Sequence, residues 1–191
     1  GFQVQAYLET QGLIAFPDSN GGMTIYCSMQ CPYYVHDSVT AALGLAYNKV
    51  RIVQRCTGGG FGGKEDVPAL VGAHAAIAAW VCKRPVKLIY SRSEDFVSMS
   101  KRHPSWVKIK YGAKKDGTIT ACEVKYVLDS GAYSTLSPVV LWRGTVHAAG
   151  PYRVPNVKID AYAAATHKVP SGAYRGFGQP QASFANESLI D

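Results

Sequence analysis

Residues 50–90 read VRIVQRCTGGGFGGKEDVPALVGAHAAIAAWVCKRPVKLIY, and this stretch decides the fold. It opens on a short β-rich run, VRIVQ at 50–54, and turns through a glycine loop at 58–63. A strongly apolar helix follows over about 67–82, and VKLIY at 86–90 returns as a strand. Pro68 is tolerated in the first helical turn, where the N–H it lacks would have no intrahelical acceptor.

Working outward, LIAF (13–16) and MTIYC (23–27) read as two strands around a turn at Asp18-Ser19-Asn20-Gly21-Gly22. The spacing predicts a helix over 33–47 with Val39, Ala42, Leu43 and Ala46 on one side. Beyond residue 98 the character changes, which suggests a lobe boundary. There WVKIKYGAKKDGTITACEVKYVLDSG alternates on both sides of Lys115-Asp116-Gly117, a hairpin signal. NVKIDAYAAAT (156–166) reads as another strand, and a last helix begins near Gln179. The expected class is α+β (mixed α/β), with helices packed on mixed sheets and a long hairpin.

Of the 191 residues 47% are apolar and 17% charged, enough to bury a core and too apolar for disorder. No run of about 18 apolar residues occurs, so no membrane-spanning helix is expected. The start lacks the pattern of a signal peptide and an initiator Met, and SLID ends as if within a helix; a piece of a longer protein is expected. The net charge of +7 favours anionic partners. Its lysines and arginines are scattered without interleaved aromatics, which argues against nucleic acid. The five cysteines (27, 31, 56, 82, 122) give neither a disulfide framework nor paired metal knuckles, and fit a reducing cytoplasm. His36, His74, His103, His147 and His167 show no metal-ligand spacing.

In the loop Thr57–Glu65 (TGGGFGGKE), five glycines in six positions let the backbone approach a ligand and point N–H groups at oxygen or phosphate. Gly58, Gly60 and Gly63 formally satisfy the dinucleotide-binding pattern. However, Ser91 and Arg92, rather than an acid, follow the next strand; only a phosphorylated nicotinamide cofactor would fit. Lys64 precedes Glu65 and not Ser or Thr, so this is not a nucleotide P-loop. A second constellation, SGAYRGFGQPQ (171–181), sets Arg175 and Phe177 among glycines before a helix. Its guanidinium suits an anion and its ring a flat ligand.

Together GGGFGGKE and YRGFGQPQ resemble the molybdenum-binding part of the xanthine dehydrogenase and aldehyde oxidase family. AYLET (6–10), SMQC (28–31), LWRG (141–144) and YRVPN (152–156) follow in the family's order, so the resemblance spans essentially the whole chain. It implies part of a molybdopterin-binding domain, with molybdenum held through the pterin and not by protein ligands. It further implies a pterin alone or extended as a cytosine dinucleotide, with the iron–sulfur and FAD groups on other chains or domains. The partners implied are those subunits, the remaining molybdopterin-binding segment and an N-heterocyclic small molecule.

Carried over by position, Gln30 bonds an oxygen ligand of molybdenum, and Phe61 and Gly62 offer backbone amides. Arg175 contacts the cofactor, Phe177 stacks on substrate and Leu136 lines the entrance. Glu65 and Arg143 are the implied catalytic residues, and an acid with an arginine there resembles the purine hydroxylases more than the aldehyde oxidases. Such chemistry inserts water-derived oxygen at an electron-poor ring carbon. An arginine that meets the growing negative charge stabilises the transition state more than the ground state. Two departures stand out: Gln5 occupies the place of a usual His, and the family's general-base Glu belongs to a later segment. The isolated chain is therefore expected to be inactive. The alternatives are a non-catalytic interaction module that keeps the fold, and the nicotinamide-binding reading above.

Overall fold

The computed structural model describes residues 3–191, which divide into two compact units between Ser100 and Lys101. In the first, β1 (Gly12–Pro17) and β2 (Met23–Cys27) pair antiparallel across the turn at 18–22. Alternation sends Leu13, Ala15, Met23, Ile25 and Cys27 into the core. α1 (Pro32–Leu43) crosses over the sheet, and β3 (Val50–Gln54) returns parallel to β2. The helix stops short of residue 47 because Gly44 adopts a left-handed φ of 63° and its N–H caps the Thr40 carbonyl. Its buried side is Val35, His36 and Val39; Ala42 is exposed and Ala46 lies outside the helix.

α2 (Val67–Cys82) spans the expected residues and buries a face of small side chains, Gly72, Ala75, Ala76 and Ala79 among them. A Cβ at Gly72 would come 2.9 Å from Val35 Cγ1, so this glycine sets how closely α1 and α2 approach. β4 (Val86–Ile89) pairs antiparallel with β1, giving the sheet order β3-β2-β1-β4. That order removes the nicotinamide-dinucleotide reading. β3 and β4 flank the glycine loop and α2 in sequence but lie at opposite edges, whereas a dinucleotide fold places such strands side by side. α3 (Arg92–Ser98), which periodicity did not reveal, opens on a capping box between Ser91 and Glu94.

In the second unit β5 (Ser105–Ala113) and β6 (Ile119–Gly131) form the expected hairpin, and β7 (Val157–Ala165) joins parallel to β6. α4 (Ser137–Val146) and α5 (Gln179–Ile190) complete it, making five α-helices among the described residues. Val124, Tyr126, Leu128, Val140 and Ala182 form the core of this unit. Tyr126 lies against Gly144, where a Cβ would sit 2.5 Å from its ring. The architecture is mixed α/β with mixed sheets, as the sequence implied.

Candidate functional site

In the first unit the glycine loop is shaped by one tight turn. Gly63 N–H donates to the Gly60 carbonyl (2.8 Å), and both central residues, Phe61 (φ 52°) and Gly62 (φ 98°), are left-handed. This is the positive-φ pattern of a type I′ turn. For a phenylalanine it costs on the order of 1–3 kcal/mol, so the surrounding bonds must hold it. Phe61 stands exposed at the tip while Gly62 is buried.

Gln30 supplies those bonds. Its Oε1 accepts from the N–H of Gly62 (3.0 Å) and of Lys64 (3.2 Å), and its backbone N–H donates to the Lys64 carbonyl (2.7 Å). The Gly62 amide, expected to face a ligand, is therefore committed to Gln30, because the turn folds it toward the buried side. With Oε1 engaged and the residue exposed, Nε2 is the end of the amide that can donate outward. A Cβ at residue 60 would lie 2.3 Å from Gln30 Oε1, so only glycine lets the amide seat there.

Sequence reasoning missed the residues behind the loop. Lys64, weighed only as a failed P-loop lysine, is fully buried, and its Nζ lies 2.6 Å from Glu9 Oε2 and 3.0 Å from Ser28 Oγ. Glu9 Oε2 also accepts from Gly58 N–H (2.8 Å). Burial raises the Glu9 carboxyl, but the bonds from Lys64, Ser28 and Gly58 together outweigh it and hold the group below its ordinary range. Gln11 Nε2 donates to the Gly63 carbonyl (2.7 Å), and Gln11 in turn meets Tyr7, which bonds the buried Asp95 (3.0 Å). Glu65 is half-buried, its N–H directed at the Gly62 carbonyl (3.3 Å). Burial, then the charges of Glu65 and Asp66, push the Cys31 thiol up and away from a reactive thiolate.

The second unit repeats the turn. Gln179 N–H donates to the Gly176 carbonyl (3.0 Å), with Phe177 at φ 50° and Gly178 at φ 96°. The Arg143 guanidinium, projecting from α4, lies 5.5 Å from the Phe177 ring centroid, a cation–π approach. Arg175 is exposed and its carbonyl accepts from Arg102 Nη2 (2.9 Å), while Arg102 stacks on Tyr174 at 4.1 Å. Leu136 is buried at the head of α4. His103, also unforeseen, is buried with Nε2 2.7 Å from Ser137 Oγ at the start of α4, and its carbonyl accepts from Gln181 of α5 (3.2 Å). Gln30, Gly62 and Glu65 are thus gathered in one unit, and Arg143 with Phe177 in the other.

These donors make no ligand set for a metal ion; N–H groups suit an oxyanionic or oxo-bearing group, such as a pterin-held metal centre presents. The family model for the molybdopterin cofactor-binding domain matches residues 1–191. The chain is 44% identical over 185 residues to the nicotinate dehydrogenase large molybdopterin subunit of Eubacterium barkeri, covering 97% of this chain and 43% of that protein. It is 40% identical over 189 residues to a probable xanthine dehydrogenase component of Bacillus subtilis, covering 99% of this chain and 25% of that one. The aldehyde oxidoreductase of Desulfovibrio gigas superposes with a TM-score of 0.89 at 30% identity, over 100% of this chain and 21% of its own. The chain spans less than half the length of each. Two phenylalanine turns set among glycines and a match along the whole sequence lead to one conclusion: this chain belongs to the family of molybdopterin cofactor-binding domains.

Proposed function

We propose that the chain is the cofactor-holding portion of a molybdenum hydroxylase that oxidises an N-heterocycle of the purine type. The observation that carries this reading is the exposed Gln30 amide, whose Oε1 is held by two backbone N–H groups, leaving Nε2 as the end able to donate. When bound, the molybdenum–pterin group supplies two-electron oxidation with oxygen derived from water. Gln30 Nε2 would donate to an oxygen of that group, the Phe61 backbone amide would serve it from the loop, and Arg175 would bind its anionic part. Phe177 packs on the heterocycle. Arg143, held at the Phe177 ring, meets the negative charge that grows on the heterocycle. Glu65 moves a proton between ring nitrogens.

A relative named for nicotinate supports a second substrate of the same class, a pyridine carboxylate, for which Arg143 would pair with the ring-bound carboxylate. The pterin alone or as its cytosine dinucleotide, iron–sulfur and FAD partners, and inactivity of the isolated chain complete the proposal. Five unpaired thiols support a reducing, cytoplasmic setting, and no helix among the described residues is long and apolar enough to cross a membrane.

The test is metal analysis and turnover of the full-length protein assembled with its partner chains, on purines, nicotinate and aldehydes. About one molybdenum per complex and hydroxylation of a heterocycle are expected, with Arg143→Met lowering that turnover by about 10²-fold or more. Unchanged turnover in Arg143→Met, or preference for aldehydes, would overturn the substrate class; a metal-free complex would overturn the reading as a whole.

A further inference from the structure

Five glycines in six positions make residues 58–63 entropically expensive to hold in one conformation, yet the Gln30 amide is seated only when that conformation is kept. Both ends of the stretch return to one carboxylate. Gly58 exchanges two bonds with Glu9, its N–H to Oε2 (2.8 Å) and its carbonyl to the Glu9 N–H (3.2 Å). Lys64, just after the last glycine, reaches the same Oε2 at 2.6 Å. The ammonium is fully buried, touches Ser28 Oγ and lies 5.0 Å from the centroid of the Tyr7 ring. An ammonium at such depth is costly even when paired, and an apolar side chain of similar volume would fill the space with less penalty. Stability alone is therefore a poor reason for a lysine there. What the lysine adds is direction, since its backbone N–H and carbonyl are the atoms that grip Gln30 from the other side.

We propose that Glu9 and Lys64 are positioning residues, a carboxylate–ammonium clamp that closes the two ends of the glycine loop and thereby aims the Gln30 donor at the cofactor. The clamp acts through Gln30. Its catalytic consequence rests on the function proposed above; its effect on the loop does not.

The experiment compares Lys64→Met, Glu9→Gln and the double variant in the full-length protein assembled with its partner chains. Hydrogen exchange at residues 57–64, molybdenum and pterin content, melting temperature, kcat and KM are measured on each. In Lys64→Met the loop amides should exchange about tenfold faster or more. Its kcat should fall by about tenfold with KM nearly unchanged, because the loss is of orientation and not of substrate contact. Glu9→Gln strands a buried ammonium and should melt lower. The double variant buries no charge and should recover the melting temperature without recovering loop protection or kcat. Loop exchange in the double variant equal to that of the unaltered protein would overturn the clamp, as would recovery of kcat together with stability. If a single variant does not fold, the double variant decides. If the unaltered complex holds no molybdenum, the functional reading fails and the exchange measurement alone judges the clamp.

Discussion

Replacing Gly178 by alanine tests whether the second phenylalanine turn and α4 are built as one piece. Gly178 sits at φ 96°, and an added Cβ would lie 2.3 Å from the Val140 carbonyl oxygen and 2.9 Å from the Gly144 nitrogen. Both are backbone atoms of α4, so no side chain can swing away; the helix itself must retreat. The left-handed backbone alone costs an alanine roughly 1–2 kcal/mol, and forcing packed elements apart adds about 1–3 kcal/mol. The expected loss is therefore about 2–5 kcal/mol, concentrated where α4 meets the start of α5. Gly117 provides the control, because it too is left-handed (φ 86°) but has nothing within 4 Å of its Cβ position. Gly117→Ala should cost only the backbone strain, roughly 1–2 kcal/mol. Native-state hydrogen exchange on the full-length protein reads the opening free energy of α4 and α5 directly. Equal losses in the two variants, or protected α4 amides in Gly178→Ala, would refute the reasoning. Because Arg143 immediately precedes Gly144 in α4, the same variant should also weaken the Arg143–Phe177 contact, visible, on the function proposed above, as a raised KM for the heterocycle.

Gly60→Ala should disturb Gln30 first, since the atoms nearest the new methyl belong to that flexible side chain, with Oε1 at 2.3 Å. Losing its two bonds to backbone N–H groups costs about 1–3 kcal/mol, and molybdenum occupancy should fall while melting changes modestly; full occupancy would contradict the assigned role of Gln30. His103 gives an acid limb: burial, opposed by Asp129 and aided by Arg102, holds its pKa at about 4 against an ordinary 6.5. The unfolded chain takes up this proton first, so stability is complete above pH 6.5 and declines as pH falls toward 4, by about 3 kcal/mol. His103→Gln should flatten that interval in unfolding measurements at graded pH, and an unchanged slope would assign it to other groups.

Local signals in the sequence reveal much of both units. VRIVQ, the helix over 67–82 and the hairpin around Asp116-Gly117 carry strong local signals: alternation, an apolar run with Pro in its first turn, a glycine able to turn. α4 escaped because SPVVLWRGTV is rich in β-branched and bulky residues and shows no clean apolar stripe; it is a helix because Val140 and Gly144 can close on Tyr126 and Gly178. α1 ends earlier than its sequence pattern because Leu45 and Ala46 prolong the apolar periodicity beyond Gly44, where backbone geometry stops the helix. Among the candidate site residues, the two glycine-framed phenylalanines could be found from their neighbours in sequence. Glu9, Lys64 and His103 could not, since their partners lie 55, 36 and 34 residues away.

What the sequence by itself determined is the set of local elements, the two turns that only glycine-rich segments can make, and through their motifs the family. These depend on interactions a few residues long. Only the tertiary structure decided that β3 and β4 stand at opposite edges of the sheet, which turns a formal dinucleotide motif into a different kind of loop. It alone decided that the Gly62 amide faces inward to Gln30, and that a lysine weighed only against the P-loop pattern is buried on a glutamate far away in sequence. Strand order and burial arise from competition among distant segments for the same core, and no local pattern records which of them wins.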